Sequence, residues 1–165
     1  MNRKVIIAVV TVAVLITGIV AYRLWFGDER AIRKQLALIE EIGSKSKTEQ
    51  PMEGLVKATR IAALFSDPSL LIVELVRYDD YYYRKQIQEY IIMVRSLFAE
   101  VEVSIHDIVI ERIVNKASVV RGTLRLHGKA IGEPVADTHK FQAEVAKIDG
   151  QWLFTAVTLV GIIEQ

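Results

Sequence analysis

Residues Val5 to Ala21, VIIAVVTVAVLITGIVA, run for seventeen positions without a charge or a proline. That length reaches the short end of what spans a bilayer, and Tyr22, Leu24, Trp25 and Phe26 extend it into the interface. A cleaved signal peptide has a shorter apolar stretch and small residues at −3 and −1. Cleavage after Ala21 would put the bulky Ile19 at −3, so the run reads as an uncleaved signal anchor over residues 1–26. It contacts the membrane through residues 5–22. Arg3 and Lys4 precede it, which suits a cytoplasmic N-terminus. Arg23, Arg30, Arg33 and Lys34 follow it, but Asp28 and Glu29 lie among them, and large C-terminal domains cross largely regardless of charge. The expected location is a bacterial inner membrane, crossed once, with residues 27–165 outside the cytoplasm.

Charge and cysteine narrow the function of those residues. Of 21 basic residues, Arg3, Lys4 and Arg23 flank the run; the 18 others face 20 acidic ones, so the domain is near −2. No basic stripe is available to neutralise phosphates, and no nucleic-acid partner is expected. The chain has no cysteine, which excludes disulfides, thiolate metal sites and a cysteine nucleophile.

The domain begins with two helical patterns. Ile32, Leu36, Ile39 and Gly43 recur at helical spacing, and Pro51 opens a second helix whose core side is Leu55, Val56, Thr59, Ala62 and Ala63. Ser66, Asp67 and Pro68 end it. Ser69 to Val76 (SLLIVELV) reads as a strand. The stretch RYDDYYYRKQ follows, where Asp79 or Asp80 is placed to cap a third helix. That helix carries Ile87, Tyr90, Ile91, Val94, Leu97 and Phe98 on its apolar side, with Tyr83 sharing it. The remainder is β-structure. Glu100 to Asn115 alternates and then slips phase, which predicts a bulge near His106–Asp107. Ala117 to His127 and Val135 to Ile148 are further strands, and Asp149–Gly150 signals a hairpin into Gln151–Ile163.

SIHDIVIERIVNKASVVRGTLRLHG and the closing KIDGQWLFTAVTLV, in this order of elements, resemble the NTF2-like superfamily, with its SnoaL-like and ketosteroid-isomerase-like domains. The resemblance covers about residues 28–165. It implies an α+β cone, with helices packed on a curved antiparallel sheet around a pocket, and an isomerase, dehydratase, carrier or assembly role. An isomerase-type site needs a carboxylate and an oxyanion donor in an apolar cavity. Asp137 and His139 share strand parity with Phe141, and Tyr83 reaches them from the helix, so these four are the candidate ligand pocket. No catalytic residue, cofactor or metal is assigned: His106, His127 and His139 lie on different strands without ligand spacing.

In the last strand Trp152, Phe154, Ala156 and Val160 take one face by alternation, and Leu153, Val157, Leu159 and Ile163 the other. Helices cover one side only, so the second set is the candidate interface. The reading that follows is a non-enzymatic, membrane-anchored interaction module, either a homodimer or joined to other membrane-complex proteins. A carrier of a small apolar molecule or lipid comes second, and an isomerase or dehydratase third.

Overall fold

The structure is a computed structural model that describes residues 3–74, 78–130 and 132–162, with backbone alone for 3–11, 18–26, Tyr78, Gly161 and Ile162. The chain divides into two compact units, Met1–Lys34 and Gln35–Gln165. Helix α1 (Arg3–Gly43) runs through the boundary expected at residue 27, and Gly27 does not interrupt it. Most of the side chains of the expected anchor lie outside the described residues. Among the described residues no helix is long and apolar enough to cross a membrane.

In the second unit, α1 is followed by α2 (Pro51–Ala62), β1 (Phe65–Val73), β2 (Tyr78–Tyr82), α3 (Arg84–Leu97), β3 (Phe98–Ile110), β4 (Ala117–Ala130), β5 (Glu133–Ile148) and β6 (Gln151–Ile162). The six strands form one sheet in the order β2-β1-β6-β5-β4-β3. All neighbours are antiparallel except β1 and β6, so the sheet is mixed. Helices α2 and α3 pack on its inner side, where Ala62, Tyr82 and Ile87 form a cluster with Phe65, Leu71 and Ile91.

The turns follow their chemistry. Asp149 and Gly150 have φ of 51° and 81°, the left-handed pair that a two-residue hairpin needs. Asn115 and Lys116 do the same between β3 and β4, closed by paired bonds between Val114 and Ala117. The expected bulge is present: β3 slips against β4 between His106 and Val109, with Asp107 at φ 54°.

Four expectations are corrected. Ser66, Asp67 and Pro68 already belong to β1; the register against β6 shifts between Phe65 and Leu70, an irregularity of the kind that admits a proline. Asp79 and Asp80 are strand residues of β2 and do not cap α3. The Arg84 N–H is taken by Asp67 Oδ1 at 3.0 Å and the Tyr83 N–H by Gln86 Oε1 at 2.8 Å. Because β2 continues to Tyr82, the buried aromatic is Tyr82, at 7% exposure, while Tyr83 is 60% exposed. The buried side of α2 is Ala58, Ile61 and Ala62, with Leu55 and Val56 exposed.

Candidate functional site: an apolar cavity and a charged cluster

A cavity of about 180 Å³ lies between the last turns of α1 and the inner face of the sheet. Leu36 and Ile39 line it from α1, Phe65 from β1, Ile105 from β3 and Leu124 from β4. Phe141 and Ala143 come from β5, and Phe154, Val157 and Leu159 from β6. None of these side chains ionises. Phe141 is seated opposite Gly122, where an added Cβ would come within 2.8 Å of its ring. The glycine therefore leaves room for the aromatic wall.

The four expected pocket residues are not brought together. Phe141 lines the cavity. Asp137 and His139 share its face of β5, but they lie beyond the cavity wall, half-buried, opposite Leu126 and Leu124. Tyr83 stands at the exposed start of α3, away from the lining residues.

The face assignment of β6 changes as well. Val145 pairs with Phe154 and Glu144 with Ala156, so Thr155 is an extra residue that reverses the alternation. Val157 and Leu159 therefore turn inward to line the cavity with Phe154. Leu153 is buried, and Ile163 lies outside the described residues. The outward side of the sheet carries Arg121, Arg125, Lys140, Gln142 and Thr158, with Arg121 Nε donating to Gln142 Oε1 at 2.9 Å. The same side also carries Val119, Ile72 and the exposed Val160, so it mixes polar and apolar groups, and Val157 and Leu159 are not among them.

A charged cluster at the ends of α1 and α3 was concealed by the apolar pattern of α3. Ile87 and Arg95 are buried on α3 with Ile91 partly so, while Tyr90, Val94 and Leu97 of the expected core side are exposed. Arg95 donates through Nη1 to the carbonyls of Ile42 (3.0 Å) and Gly43 (2.6 Å), closing the C-terminus of α1. Its Nη2 holds both oxygens of Glu49 at 2.6 and 2.8 Å. Lys45 does the converse: Nζ donates to Arg95 O and Phe98 O at the end of α3. Each helix end is thus capped by a cation from the other segment. Glu49 also accepts from Lys57 Nζ at 2.7 Å. Burial works against the charge of Glu49, but the bonds from Lys57 and Arg95 outweigh it and hold the carboxyl below the usual range. The bond to Glu49 raises Lys57, against its own burial. The signal for this cluster in sequence is slight: one arginine at the i+8 position from Ile87, and one acid in the polar stretch KSKTEQ.

Among the described residues no three histidine, aspartate or glutamate groups are placed to hold a metal. Neither a protein-family profile nor a curated protein matches the chain. Solved structures do. An NTF2-like protein with a cystatin-like fold from Novosphingobium aromaticivorans superposes with a TM-score of 0.69 at 12% identity, covering 87% of each chain. The fold is NTF2-like. The Kfla4162 protein from Kribbella flavida shares it with a TM-score of 0.68, at 12% identity over 84% of this chain and 93% of that one. A hexachlorocyclohexane dehydrochlorinase, LinA type 2, gives 0.65 at 11% identity over 84% and 87%. NTF2-like neighbours thus include an enzyme, but identities this low carry the fold and not the chemistry.

Proposed function

We propose that this chain is a non-catalytic NTF2-like interaction module that joins a protein assembly at a membrane surface. The observation that carries the reading is the apolar surface on the helices. Met52, Leu55 and Val56 of α2, and Tyr90, Ile92, Met93, Val94 and Leu97 of α3, all stand exposed. Large contiguous apolar patches on soluble proteins mark interaction sites. The membrane part rests on the uncharged run Val5–Ala21, with Arg3 and Lys4 before it. Full-length protein in mild detergent should form a dimer or larger complex by light scattering. A monomer at every concentration overturns the reading.

A second reading is favoured by the cavity itself. Its volume of about 180 Å³ and wholly apolar lining suit a small apolar molecule. On this reading the domain carries a small apolar molecule. Benzene should raise the unfolding temperature in a concentration-dependent way; an unchanged temperature at saturation would dismiss it.

A further inference from the structure

We propose that the cavity between the start of α2 and the end of α3 binds a small monocarboxylic acid with an apolar tail. It shares no residue with the apolar cavity on the sheet. Its volume is about 300 Å³, the lower end of the roughly 300–1,000 Å³ found for small-molecule sites. Pro51 and Leu55 of α2 and Ile92 of α3 give it an apolar lining, and Lys45, Glu49 and Arg95 a charged one.

Charge selects the head group. The charged lining holds two cations and one carboxylate, and that carboxylate is already engaged. Glu49 is buried and accepts from Arg95 Nη2 and from Lys57 Nζ. Lys45 has no carboxylate of its own: among the described residues none pairs with it, and its Nζ meets only Arg95 O and Phe98 O. Glu41, Glu100 and Glu102 border a second cleft that Lys45 also lines, but Glu100 is held by Lys47 at 3.3 Å and the other two stay out of ion-pair distance. The carbonyls of a helix end offset about half a unit charge. A positive charge is therefore left over at the cavity.

The hydrogen-bond donors point the same way. An ammonium has three N–H groups, and Lys45 spends two of them. Arg95 uses both terminal nitrogens, but its Nε, on a side chain 8% exposed, has no acceptor. The cavity is rich in donors and short of acceptors. A carboxylate supplies acceptors alone, whereas an amine head would bring more donors and a further positive charge. The tail has its own place, since Leu55 and Ile92 stand exposed and covering them removes apolar surface from water.

Hexanoate, hexan-1-ol and hexylamine carry one tail under a negative, a neutral and a positive head. With full-length protein in mild detergent, hexanoate should raise the unfolding temperature saturably and shift the amide NMR signals of Leu55 and Ile92. Hexan-1-ol should bind more weakly, and hexylamine should do neither. Lys45→Met should weaken hexanoate binding about tenfold or more, as loss of a charge-assisted bond does. Because Lys45 also closes the end of α3, Leu55→Asp serves as a second variant. It alters an exposed side chain, should keep the fold, and should weaken binding to a similar extent. Absence of a saturable hexanoate effect, equal binding of hexan-1-ol or hexylamine, or unchanged hexanoate binding in folded Lys45→Met or in Leu55→Asp overturns the site. Shifts at Phe141 and Leu159 in place of Leu55 and Ile92 also overturn it, and favour the apolar carrier instead. The interaction reading is tested by association and stands apart from each of these results.

Discussion

Arg95 shows how one side chain stabilises several parts of a small domain. Its guanidinium ties the end of α1 to Glu49 and is itself buried, so removing either partner leaves an uncompensated charge. Glu49→Gln should cost about 3 kcal/mol, the usual penalty for breaking a buried pair, measured by urea unfolding at neutral pH. The pH dependence has a definite sign. Glu49 has a folded value below its unfolded one, so its contribution is present above about pH 4.3 and is lost as pH falls through the folded value. Wild type should weaken through that acid window, and Glu49→Gln should lack this part of the slope. Lys57 acts at the other end, its contribution persisting until pH rises through its raised folded value. The tyrosines give a second contrast. Tyr82→Ala should cost roughly 3 kcal/mol as a buried aromatic truncation. Tyr83→Ala should stay within about 0.5 kcal/mol in the same measurement.

At the level of the elements, β6 sets the inner surface of the cone. The extra residue at Thr155 lets Phe154 and Val157 face the same way, so three consecutive inward positions reach the cavity. An aspartate at Val157 or Leu159 would place an unpaired charge in an apolar space and should cost about 3–5 kcal/mol. Thr158→Asp, on the outward face, should stay within about 1 kcal/mol. Circular dichroism against urea distinguishes these outcomes, and equal losses at Val157 and Thr158 would contradict the bulge. Helix α3 raises the same issue in another form. Its apolar residues Ile87, Tyr90, Ile91, Val94 and Leu97 spread over more of its circumference than the domain covers, with Lys85, Gln88, Glu89 and Ser96 on another side. Here one side is occupied by the domain, through Ile87, Ile91 and Arg95, and the opposite side is left open.

For the whole molecule, the membrane topology is the simplest expectation to check. A reporter active only in the cytoplasm, fused after Gln165, should stay silent if Arg3 and Lys4 hold the N-terminus inside; strong activity would reverse the topology. The order of elements apart from β2, the Asp149–Gly150 hairpin and the bulge at His106–Asp107 were legible in the chain because each depends on local chemistry. Periodicity, turn residues and a break in alternation act over a few positions, and they carry the fold resemblance with them. Phe141 was legible for the same reason, as an inward position of an alternating strand. What the tertiary structure decided was which apolar residues are covered. Arg95 is inside and Val94 outside because the ends of α1 and α3 each need a cation to close their carbonyls. Tyr82 replaces Tyr83 in the core because pairing with β1 carries β2 past the aspartates. Val157 and Leu159 face the cavity because Thr155 is an extra residue in the register of β6 against β5. Burial is set by neighbours distant in sequence, and no local pattern records those neighbours.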